Sequence, residues 1–104
     1  VLVGSFARGV VSAGAVTLNV QRGIIDTGSL TTEIQGRTVF DLVNNKIDPN
    51  SVIHVSLRRY AGTTVIGPVI RVEDYSTAGS ARIAVQNFGT AALAASASIS
   101  FAVL

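Results

Sequence analysis

Apolar and polar residues alternate with a period of two along most of this 104-residue chain. The clearest stretch is Ser51–Tyr60, SVIHVSLRRY, entered through Asp48-Pro49-Asn50. Extended, it puts Ile53, Val55 and Leu57 on one side and Val52, His54, Ser56 and Arg58 on the other. That is the mark of a half-buried strand rather than a helix. The turn in front has its own chemistry, because Pro presets φ near about −65° and Asx side chains bond their own backbone.

The same grammar recurs. Ala15–Gln21 alternates Val16, Leu18 and Val20 with Thr17, Asn19 and Gln21. Ile24-Ile25 reads as a short apolar step before a turn or loop at Asp26-Thr27-Gly28-Ser29, and Leu30–Glu33 as a short strand. Arg37–Asn44 places Phe40 and Leu42 in the core. Tyr60-Ala61-Gly62-Thr63 reads as a hairpin-type connection, followed by Thr64–Ile66 and a break at Gly67-Pro68. Val69–Tyr75 turns Ile70 and Val72 inward, Ser76–Ser80 is a turn, and Ala81–Phe88 turns Ile83 and Val85 inward. After a loop over Gly89–Ala95, Ser96–Leu104 sets Ala97, Ile99, Phe101 and Val103 against Ser96, Ser98 and Ser100. Ala91–Ala97 has the highest helix propensity in the chain, but it is too short for a stable helix and reads as turn into strand.

The prediction is an all-β domain: a single antiparallel β-sandwich of about seven to nine short strands, of which a jelly roll is one form. Residues 1–12 are expected to be an N-terminal arm or first strand, and 13–104 the sandwich, one domain overall. No internal repeat is visible.

Composition changes this picture in one respect. Hydrophobic residues make up 48% of the chain and charged residues 13%, against about 25% charged in an ordinary domain. So few charges for a folded surface of about 5,500 Å² suggest a surface covered by copies of itself or by a larger assembly. The net charge is +2, and of the basic residues only Arg58 and Arg59 are adjacent. A nucleic-acid partner is not expected, since backbone binding uses a dense stripe of cations. The chain has no Cys, which excludes a disulfide, a thiolate nucleophile and a Cys-based zinc site. Residue 1 is Val, as expected of a processed or trimmed N-terminus, and Val1–Val11 lacks the basic region of a signal peptide. The charge-free tail after Arg82 is broken by Gln86, Asn87, Gly89, Thr90 and serines, so a membrane span is not expected.

Four stretches carry a resemblance: AGAVTLNVQRGIIDTGSLTT at 13–32, DPNSVIHVSL at 48–57, GPVIRVEDYSTAGSARIAVQN at 67–87 and ALAASASISFAVL at 92–104. Together they cover most of the chain, as loose hydrophobic-and-turn patterns, and they resemble small β-rich structural domains of tailed-bacteriophage virion proteins. The family's pattern has an Asn-Gly-like turn before its last strand, where this chain has Ala94-Ala95. The resemblance implies a virion structural protein, a capsid decoration or cement protein on the outer surface of the head. Its partners would be copies of itself, a trimer by preference, and the major capsid protein or other virion proteins. The alternative it implies is a tail or head fibre module that recognises host surface glycans.

Candidate chemistry is sparse. His54 is the sole histidine and faces outward, and no G-x-S-x-G elbow accompanies it. Glu73-Asp74 is the sole adjacent acidic pair, and neighbours in a strand point to opposite faces; a cross-strand pair with an arginine, Arg58 for one, explains Glu73 better than calcium does. No phosphate-cradling glycine motif occurs. No catalytic, metal or cofactor-binding residues are therefore assigned. The interface candidates are Arg58, Arg59 and Tyr60, because Arg and Tyr offer large contact area with a polar end, followed by Tyr75 and Phe88.

Overall fold

The computed structural model describes residues 6–62, 67–74, 78–89 and 91–104, with the side chain of Asp74 excepted. Within them the chain is all-β: β1 (Phe6–Val10), β2 (Ala15–Thr17), β3 (Arg22–Ser29), β4 (Arg37–Val43), β5 (Ile53–Tyr60), β6 (Val69–Asp74), β7 (Ser80–Gln86) and β8 (Ser96–Val103). They form two four-stranded sheets of order β1-β3-β8-β5 and β2-β4-β7-β6. The inner faces meet in one core of Ile25, Phe40, Leu42, Ile83, Val85, Ile99 and Phe101, with Val16, Leu18, Leu30, Ile47 and Leu93 closing its ends. Burying each such side chain is worth about 1.5–3 kcal/mol, so the period-two pattern determines which face of each strand turns inward.

The topology is a rolled hairpin. β3 pairs with β8 and β4 with β7, both antiparallel, while β5 adds to the far side of β8 and β6 to the far side of β7. The sheets are not purely antiparallel, however: β1 runs parallel to β3, and β2 parallel to β4. β1 and β2 are one N-terminal segment that changes sheets at Ser12–Ala15. There the backbone groups of Ser12 and Ala15 bond each other, and Ala13 and Gly14 take φ of 53° and 79°.

Several local expectations are corrected. The hairpin-type connection expected at Tyr60–Thr63 runs beyond the described residues at Thr63, and the next described strand, β6, lies in the other sheet from β5. The expected strand at Thr64–Ile66 falls outside the described residues, as do Tyr75, Ser76 and Thr77; the rest of the expected Ser76–Ser80 turn is described, with Ala78-Gly79 a turn that leads into β7 at Ser80. Asp26–Ser29 is not a turn but the end of β3. Its turn-type residues build an irregularity in the β3–β8 ladder between Asp26 and Ser29, where Gly28 adopts φ 73° and Thr27 Oγ1 accepts the N–H of Ala97 at 3.0 Å. The expected strand over Ala15–Gln21 stops at Thr17, and Leu18, just beyond it, is buried in the core. Leu30–Glu33 contributes only an isolated bridge, Thr32 to Leu93. That bridge holds Ala91–Ala95 as a loop with Leu93 buried. The turn before β5 is as expected: the Asn50 N–H donates to Asp48 Oδ1 at 2.7 Å, and the Asp48 N–H to Ser51 Oγ at 2.9 Å.

Two buried asparagines pin the loops. Asn44 Nδ2 donates to Val20 O at 2.6 Å, and its Oδ1 accepts the Lys46 N–H. Asn87 ties its own loop to that of Thr32 and Glu33.

Candidate functional site

The outer faces of the two sheets differ in how their charges are used. On the β2-β4-β7-β6 sheet, Arg37 pairs with Glu73 at 2.7 Å, Arg71 approaches Glu73 at 3.8 Å and Arg82 reaches Asp41 at 3.3 Å. Glu73 thus finds its arginines on β4 and on its own strand, not at Arg58, because β5 belongs to the opposite sheet. On the other sheet the only ion pair among the described residues is Arg8 with Asp26, at 2.9 and 3.2 Å. Arg22, Arg58 and Arg59 have no acidic partner within ion-pair distance there, and Arg22 lies 5.7 Å from the ring centre of Phe6.

The central strand of that sheet, β8, shows Ser98, Ser100 and Ala102 to the outside, while Ala97, Ile99, Phe101 and Val103 fill the core. Short side chains between longer ones on β3 and β5 leave a trough. Two hollows lie along it: one of about 310 Å³ lined by Arg8, Asp26, Arg58, Arg59, Ser96 and Ser98, and one of about 340 Å³ lined by Arg22, His54, Ser56 and Ser100.

The adjacent arginines reach the first hollow together because of a bulge. Strict alternation would send Arg59 into the core after Ile53, Val55 and Leu57. The β5–β8 register instead shifts between Leu57 and Arg59, so Arg58 and Arg59 are both exposed and Tyr60 takes the inward place. A bulge re-aims side chains in this way. Tyr60 is consequently a structural residue as much as a surface one: its hydroxyl accepts the Ala94 N–H at 3.1 Å. Phe88, just past β7, is 49% exposed and lines neither hollow. His54 faces outward, into the second hollow.

Sequence reading missed Arg8, Asp26, Ser96 and Ser98. Arg8 and Asp26 stand 18 residues apart and meet only because β1 pairs parallel to β3, with Val10 opposite Asp26. Nothing in a period-two pattern states which strands are neighbours.

Asp26 is the electrostatic centre of the hollow. Hydrogen bonds from Arg8 hold its carboxyl below the usual carboxylate range; desolvation opposes this, and the Arg8 and Arg58 charges assist. Ser98, opposite Asp26 in the ladder, adds a smaller downward pull, although its Oγ makes no hydrogen bond of normal geometry. A depressed folded pKa contributes stability above the unfolded value of about 3.9, and that stability is lost as pH falls through the folded value. Melting temperatures at neutral pH and below about pH 4 should therefore differ more for the wild type than for Asp26→Asn. Equal acid sensitivity in the two proteins would refute the assignment.

Among the described residues no group of three or more His, Cys, Asp or Glu is placed to hold a metal, and no helix is long and apolar enough to cross a membrane. No family model matches the chain, and neither a curated protein nor a solved structure was found to match it.

Proposed function

We propose that the chain is a structural β-domain of a virion, a head decoration or cement protein that packs against copies of itself, as a trimer, and against capsid subunits. The observation that carries this reading is where apolar side chains remain exposed. Val39, Val43 and Val69 stand 38–45% exposed on the outer face of the β2-β4-β7-β6 sheet, Phe6 and Val10 on β1 at the edge of the other, and Val52 and Leu104 at its strand ends. Single exposed apolar residues are ordinary. Their spread over both faces and one end, on a chain with 13% charged residues, suits a subunit with several neighbours.

Two of the four sheet edges favour packing through faces rather than added strands. Of the edge strands β1, β2, β5 and β6, β5 and β6 have ladders that shift near an arginine or an acid, at Leu57/Arg59 and at Val72/Asp74. Bulges and charges of this kind discourage strand addition. Face burial is worth about 25 cal/mol per Å² before association costs are subtracted, and many copies on one shell would add avidity.

Sedimentation velocity across a range of concentrations tests the self-association. A trimer is expected, and Val39→Asp with Val69→Asp should shift it to monomer while leaving the urea midpoint within about 1 kcal/mol of wild type, as exposed sites generally do. A wild-type protein that stays monomeric at high concentration would defeat the proposal. So would virions whose heat tolerance is unchanged when the protein is removed.

A further inference from the structure

We infer that the hollow between Arg8, Asp26, Arg58, Arg59, Ser96 and Ser98 binds a saccharide unit that carries a carboxylate. It goes beyond the assembly proposed above, whose test variants lie on the opposite sheet. Three observations converge. First, arginines on the β2-β4-β7-β6 sheet are matched to acids, whereas Arg58 and Arg59 line a concave surface with no acid in ion-pair contact among the described residues. Arginine forks suit carboxylates geometrically. Second, Ser98 is 8% exposed, and its buried Oγ, although it pulls weakly on the Asp26 carboxyl, makes no hydrogen bond of normal geometry. A buried hydroxyl left open is costly, and Ser98 lines this hollow. Third, the wall also contains an acceptor, the carboxylate of Asp26, held in place by Arg8.

Donors and an acceptor together discriminate between ligands. A bare phosphate or sulfate would gain from the arginines and be repelled by Asp26. A sugar acid satisfies both: its carboxylate meets Arg58 and Arg59, and its hydroxyls donate to Asp26 and accept from Ser96 and Ser98. A volume of about 310 Å³ is at the small end for ligand pockets and suits one ring. Among the described residues no aromatic side chain lines the hollow, so recognition here is by charge and hydrogen bonds rather than stacking. The trough continues over Ser100 to the second hollow beside Arg22 and His54. Ser98 and Ala102 are about 13 Å apart at strand rise, which leaves room for a further unit of an acidic polysaccharide.

Calorimetric titration with oligogalacturonate, neutral dextran oligomers, polyphosphate and duplex DNA tests this on the full chain. Oligogalacturonate should bind, and Arg58→Ala with Arg59→Ala should weaken it about tenfold or more without moving the urea midpoint. Arg71→Ala with Arg82→Ala, on the other sheet, should leave binding unchanged. Asp26→Asn is the discriminating variant: it should weaken oligogalacturonate and strengthen polyphosphate, because it exchanges one of two acceptor oxygens for a donor in one case and removes a repulsion in the other. Equal binding of dextran, tighter binding of polyphosphate or DNA by the wild type, or stronger oligogalacturonate binding by Asp26→Asn would overturn the inference. So would no binding of oligogalacturonate at about 1 mM, an affinity worth only about 4 kcal/mol.

Discussion

Asn87→Ala is expected to cost about 3–4 kcal/mol, more than most single changes, although Asn87 lies outside every strand. Its Nδ2 donates to Thr32 O at 3.3 Å, Glu33 O at 3.1 Å and Ala91 O at 2.9 Å, and its Oδ1 accepts the Gly89 N–H at 2.9 Å. Two N–H bonds serve three carbonyls, so one is shared. The side chain is 1% exposed, and truncation leaves these groups without a partner in a place water reaches poorly. Each buried group left open costs about 1–3 kcal/mol. The damage should spread, since the same amide ties together the loop before β4 and the loop that carries Leu93 into the core. For a domain of this size the loss corresponds to about 12–30 °C in melting temperature. Asn87→Asp separates volume from chemistry: it keeps shape and the acceptor for Gly89, but turns an oxygen toward three carbonyls. It should be at least as damaging. A urea midpoint for either variant within about 1 kcal/mol of wild type would show that these bonds do not hold the loops.

Gly23→Ala is expected to destabilise the fold by about 2–3 kcal/mol through overpacking. Gly23 is buried in β3, and a Cβ placed there would run into the carbonyl oxygen of Ala7 on β1 and lie 3.0 and 3.2 Å from Cε1 and Cζ of Phe101. A side chain can move aside, but a backbone carbonyl in a paired strand cannot do so without breaking the ladder. The prediction is therefore local as well as global: amide protection over Phe6–Val10 should fall before that of β4 or β7. Gly14→Ala is the comparison. Gly14 has φ of 79° with open space around its Cβ position, so its cost should be conformational only, about 1 kcal/mol. If Gly23→Ala were no worse than Gly14→Ala, β1 would not be packed on β3 as described.

These two positions show what a period-two pattern conveys. Phe40, Leu42, Ile83, Val85, Ile99 and Phe101 could be assigned to the core from alternation alone, because a strand side chain has only two directions and burial chooses between them. Asn87 and Gly23 could not: Asn87 falls inside the expected strand Ala81–Phe88, and the roles of both depend on groups more than 50 residues from Asn87 or on the far side of a ladder. Arg58 and Arg59 were visible as a pair, yet alternation predicts that one points inward. Only the bulge against β8 puts both outside.

The chain's own order of residues determined strand existence, inward faces, the turn at Asp48–Ser51 and the poverty of charge, since each follows from neighbours within a few positions. The tertiary structure alone decided strand partners, the parallel β1–β3 and β2–β4 pairs, the placing of β5 and β6 in different sheets and the meeting of Arg8, Asp26 and Arg58. Pairing joins segments distant in sequence through backbone groups that every residue carries alike, so side-chain identity states the face of a strand but not its neighbour.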